Sequence, residues 1–145
     1  MKKTLLLVCF ILGAQTAWAL DPIYTSWYSN LAIKGYDPVA YFLEEKPVEG
    51  KSKFEHEWKG ATWRFASDEN RQRFIANPDA YAPQYGGYCA YAVSQNTTAS
   101  IEPEQFSIVD GKLYLNYNAN IQKQWLGKRR LYIQEADKNW PQLLK

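Results

Sequence analysis

Two side chains in this chain carry the chemistry of a soft metal ligand or of a nucleophile and its base. Cys89 lies in the stretch PQYGGYCAYAV (83–93) and His56 in the run KFEHEW (53–58). A thiolate and an imidazole together give two ligands to a soft or borderline metal such as copper or zinc. They stand 33 positions apart, with no CxxC or HxxxH partner to complete the four ligands of a closed zinc site. Copper(I) accepts two or three ligands, so copper is the metal that this sparse set suits best. Two other readings compete. Cys89 can be a small buried hydrophobe with His56 packed among rings, or it can be a redox thiol with His56 as its base.

The second constellation is aromatic. Tyr85, Tyr88 and Tyr91 crowd around the cysteine, and Trp58 ends the run that carries His56. Such rings can line a pocket for a small ligand, each tyrosine offering a ring face and a hydroxyl. The competing reading is core packing, because the same rings bury a large apolar area each.

The sequence around these residues sets limits on both. The 145-residue chain opens MKKTLLLVCFILGAQTAWA, with Lys2 and Lys3 ahead of an apolar run and Ala17-Trp18-Ala19 as a small-x-small cleavage signal. This is the pattern of a secretory leader over residues 1–19. Its apolar run, Leu5 to Ala14, is ten residues long, against about 20 needed to span a bilayer. A periplasmic or secreted product with no stable membrane insertion is expected.

Cleavage removes two of the 17 Lys and Arg and none of the 15 Asp and Glu, leaving 15 of each sign. That near-neutral balance weakens a nucleic-acid partner, which needs clustered positive charge; the one basic run, Lys128-Arg129-Arg130, reads as a solvated helix face. Of the two cysteines, Cys9 leaves with the leader. A single remaining thiol excludes an internal disulfide. A protein partner stays open beside a metal ion or small ligand.

Local pattern places these residues on elements. Phe54, His56 and Trp58 alternate with Glu55 and Glu57, Lys59-Gly60 reads as a turn, and Ala61 to Ala66 returns. Ser67 reads as the cap of a helix through DENRQRFIA, and Asn77-Pro78 stops it and starts another. FSIVDGKLYLNYN (106–118) reads as a second hairpin turning at Asp110-Gly111. YCAYAV reads as a short helix or a buried extended stretch. The tail from Ile121 reads as helix interrupted near Gly127, with Trp125, Leu131, Ile133 and Trp140 in the core. Asp37 before Pro38 reads as a helix cap with Pro38 at the first helical position, and residues 21–31 as a segment laid over the surface. The sum is a small single α+β domain with two β-hairpins and several short helices.

Four motifs in order, GYDPVAYF, WKGATWRFAS, NPDAYAPQYGGYCAYAV and DGKLYLNYN, resemble the larger exported bacterial members of the YHS domain family. The similarity covers roughly residues 34 to 140 and divides the chain into the leader 1–19, an N-terminal extension 20–33 and a YHS-like domain 34–145. Short YHS domains attached to metal-handling proteins resemble DPVCGM followed by FCSEGCKEKF, whose cysteines imply metal binding. This chain has Ala40, Ala66 and Asn70 at those three places. The resemblance therefore implies the scaffold without that thiol set. The expected function is an exported binding module holding a metal ion or small ligand near Cys89, with a protein-interaction domain and a thiol redox protein as alternatives.

Overall fold

The computed structural model describes residues 18–145. Apart from its last two positions, the expected leader lies outside the described residues. Among the described residues, no helix is long and apolar enough to cross a membrane.

The expected α+β class is observed, with two separate antiparallel hairpins and short helices packed between and around them. Strands β1 (Lys51–Trp58) and β2 (Ala61–Phe65) pair so that His56 faces Trp63 and Trp58 faces Ala61. Lys59 and Gly60 both take positive φ, 49° and 77°. A two-residue turn of that hand matches the twist of the strands that it joins. The same device, Asp110 (φ 51°) and Gly111 (φ 73°), closes β3 (Phe106–Val109) onto β4 (Lys112–Leu115).

Helix α1 is Ala40–Leu43, α2 Asp68–Ala76 and α3 Pro78–Tyr81. Ser67 Oγ accepts the Asn70 N–H at 3.1 Å, the capping bond expected for α2. After Gly86 and Gly87, both with positive φ, comes α4 (Ala90–Ser94), so the YCAYAV stretch turns helical from Ala90, with Tyr88 and Cys89 ahead of the helix. Helices α5 (Ala119–Gly127) and α6 (Arg129–Leu143) meet at Lys128, the expected interruption.

Two buried clusters share the interior. One gathers Trp63, Phe65 and Phe74 with Tyr41, Leu113, Leu115 and Cys89. The other gathers Tyr85, Tyr88, Val93, Tyr114 and Trp125 under α6, whose Tyr132, Ile133, Ala136, Trp140 and Leu143 recur at helical spacing.

Three local expectations are corrected. Pro38 is not the first residue of a helix; α1 begins at Ala40, and the Asp37 carboxylate reaches past Pro38 to the N–H groups of Val39 (2.8 Å) and Ala40 (3.3 Å). Residues 21–31 do not merely cross the surface. Ile23 is in the core, Tyr24 N donates to Gly86 O at 2.9 Å, and Leu31 bridges Thr62 of β2. Leu131 is 49% exposed rather than core. Lys128, at φ −139°, leaves helical geometry and re-phases α6 relative to α5, so spacing counted from Trp125 does not carry across it.

Candidate ligand cleft and the buried thiol

Cys89 sits where the chain leaves the glycine pair and enters α4. Its backbone N–H donates to Ala99 O at 3.1 Å, and its thiol donates to Asn116 Oδ1 at 3.5 Å. Asn116 is itself fully buried. The same Oδ1 accepts the Tyr91 N–H at 3.0 Å, while Asn116 Nδ2 donates to Gln122 Oε1 at 2.7 Å. Gln122 Nε2 in turn donates to Phe106 O and Ser107 Oγ. The thiol is thus one end of a polar chain that ties α4 to the second hairpin and α5. Cys89 is 1% exposed. Burial pushes its pKa up, against smaller opposing contributions from the Ala92, Tyr117 and Tyr91 backbone N–H groups. A raised pKa keeps the sulfur protonated, which suits a donor and not a nucleophile.

His56, on β1, sets its ring against Phe74, with centroids 6.3 Å apart and planes at 69°. Cys89 and His56 are therefore held by different partners. Among the described residues, no group of three or more His, Cys, Asp and Glu is arranged to hold a metal ion.

Ala40, Ala66 and Asn70, the places of the three cysteines in the short domains, converge on one carboxylate. Asp37 is fully buried. Its Oδ1 accepts from Val39 and Ala40, and its Oδ2 accepts the Ala66 N–H at 2.8 Å and Asn70 Nδ2 at 2.7 Å. Four donors surround the Asp37 oxygens, and no thiol stands near them among the three positions. The residues at this place do not fit a thiolate-held metal. They fit a structural lock joining α1, β2 and α2.

The aromatic constellation divides. Tyr91 stacks edge-on against Tyr132 at 5.2 Å, and its hydroxyl accepts from Gln124 Nε2. Tyr88 packs on Tyr24 and Trp140 and donates its hydroxyl hydrogen to Asp21 O at 3.0 Å. Trp58 and Tyr85, by contrast, line one cleft of about 420 Å³, a volume within the range of small-molecule sites, about 300–1,000 Å³. Its walls come from the N-terminal segment (Pro22, Ile23), the β1–β2 turn (Trp58, Lys59), the α3 region (Asp79, Ala82 to Gly86), Lys112 of β4 and the end of α6.

The cleft is built on a strained and anchored floor. Tyr85 is a non-glycine residue in the left-handed region, at φ 57°. Such a residue persists only where its surroundings hold it. Here the Tyr85 hydroxyl donates to Asp137 Oδ1 at 2.8 Å, and the ring packs against Tyr114 and Trp140. Burial, and then the Asp137 carboxylate, drive the phenol pKa far above its usual value, so the hydroxyl keeps its hydrogen. Gly86 next to it is fixed by contact: a Cβ there would fall 1.9 Å from Pro22 O. Pro141, inside α6, brings no N–H to the Asp137 carbonyl one turn back.

Lys59, Asp79, Lys112 and Asp137 are cleft residues that sequence reasoning did not single out, and Trp140 was read only as core. Their signal is faint, since charged residues on turns and helix faces are ordinary solvent-facing positions. Only the fold brings the four together.

Residues 39–85 match the family model of the YHS domain. No curated protein matches the chain, and no solved structure does. The matched stretch contains Trp58, Lys59, Asp79 and Tyr85 and stops before Cys89. The cleft thus lies along the seam between the YHS-matching segment and the residues on either side of it.

Proposed function

We propose that this protein is an exported, YHS-type binding module whose ligand is a small organic molecule held in the cleft between Trp58, Tyr85 and Trp140. The observation that carries this reading is the meeting of five separate chain segments around one aromatic-walled cleft of about 420 Å³. Concave sites of that size with a few placed polar groups are where small ligands bind. The leader-like N-terminus supports export, and the YHS match over residues 39–85 supports the scaffold.

Of the two ligand classes expected from sequence, the organic ligand is favoured because the cleft offers it several side chains, whereas Cys89 offers copper(I) one buried sulfur and no group of three or more ligating side chains occurs among the described residues. The test is intrinsic tryptophan fluorescence of the purified protein against a panel of small organic compounds, beside an anaerobic copper(I) titration with a competing chelator. A saturable fluorescence change that Trp58→Ala abolishes, with no copper captured from the chelator, is the expected outcome. Tight one-to-one copper binding lost in Cys89→Ser would return the function to the thiol. Export is checked by fractionation and N-terminal sequencing, with Leu20 expected as the first residue.

A further inference from the structure

Two carboxylates and two ammonium groups line the same cleft. Asp79 stands on α3 and Asp137 on α6, while Lys59 and Lys112 stand at the two hairpin turns. No ion pair links any of these four to another, although other charged residues of the chain do pair. All four are exposed residues, and none of them spends its charge on another of the four. The cleft thus offers free charges of both signs beside the Trp58, Tyr85 and Trp140 rings.

The poles are partly preset. Asp137 Oδ1 is engaged by the Tyr85 hydroxyl at 2.8 Å, which fixes the carboxylate and leaves Oδ2 to another donor. Lys59 Nζ lies 4.4 Å over the Trp58 ring, so an ammonium already rests on one wall. Lys112 has no ion-pair partner among the described residues. A singly charged ligand would meet two favourable and two unfavourable groups here. A zwitterion can turn each end toward its complement.

Resting on the cleft reading above, the geometry points to a zwitterionic ligand of the α-amino-acid class with an aromatic or large apolar side chain. Its ammonium pairs with the Asp137 carboxylate, its carboxylate pairs with Lys112, and its side chain lies against Trp140.

The test uses three matched probes on the purified protein by titration calorimetry: L-phenylalanine, 2-phenylethylamine and 3-phenylpropanoate. They share a phenyl ring and differ in which charges they carry. Phenylalanine is expected to bind about ten-fold or more tightly than either single-charge probe. Asp137→Asn should weaken phenylalanine and phenylethylamine and leave phenylpropanoate unchanged. Lys112→Met should weaken phenylalanine and phenylpropanoate and leave phenylethylamine unchanged. Equal binding of all three, or variants that fail to discriminate, overturns the zwitterion assignment while the cleft reading survives. Binding of none of them overturns it too. The fluorescence panel then separates the two cases: a response to another compound keeps the cleft, and silence across the panel removes both.

Discussion

The Cys89 thiol donates to the Asn116 side-chain oxygen at 3.5 Å, and that oxygen also receives the Tyr91 N–H at 3.0 Å. One asparagine thereby holds both the cysteine and the first turn of the helix that follows it. The one cysteine among the described residues has a structural partner, and its reactivity should follow from that.

Alkylation of Cys89 in the native protein at neutral pH should be slower than in the denatured chain by about a hundred-fold or more, because the thiol is buried and its pKa raised. Labelling kinetics with and without denaturant measure this directly. Native labelling as fast as that of the unfolded chain would mean that the site opens freely and that the redox alternative deserves a return.

Alkaline pH should destabilise the fold in a defined window. Burial raises the pKa of Cys89, and it pushes those of Tyr88 and Tyr114 up to about 12. For each, the unfolded group loses its proton first, so the contribution to stability is complete below the unfolded pKa and is lost as pH rises through the folded one. Stability should begin to fall once pH passes the ordinary thiol value of about 8.5 and then the ordinary phenol value of about 10. The loss should continue to about 12. Denaturant midpoints from pH 7 to 12 check it. A flat profile across that range would contradict the buried assignments.

Asp37→Ala should cost about 3 kcal/mol or more, since it strands four N–H donors in the interior. Asn70→Ala removes one of those donors and should cost about 1–2 kcal/mol. Urea unfolding with an unchanged slope measures both. If neither moves the midpoint, the carboxylate is not the lock that its contacts describe.

Gly86→Ala should detach the N-terminal segment before it unfolds the domain. The new Cβ would lie 1.9 Å from Pro22 O, at a φ of +62° that favours glycine. Limited proteolysis should cut within residues 20–32 faster in the variant, while far-ultraviolet circular dichroism stays close to wild type. Unaltered cleavage would show that the segment is held by other contacts.

How much of this was legible in the sequence depended on how local the cause was. Both hairpins were readable because Lys59-Gly60 and Asp110-Gly111 impose their turns within two residues, and the Ser67 cap acts over three. The docking of Ile23 and Tyr24 was not readable, because it rests on a bond to Gly86, more than sixty residues on. Leu131 was misplaced because a single non-helical residue, Lys128, resets the phase of the last helix. In the site, Trp58 and Tyr85 were visible as aromatics, but the charges beside them belong to four elements that have no sequence relation to one another.

The walls of the cleft come from Pro22 at one end of the described chain and Leu144 at the other, with both hairpins and the α3 region between them. A ligand that filled it would touch segments more than a hundred residues apart and would act as a clasp on the whole domain. Its departure cannot be a local event confined to one loop. Occupancy should therefore set how readily the protein comes apart as a unit, so that the loaded and empty forms would differ in lifetime under proteolysis as well as in content.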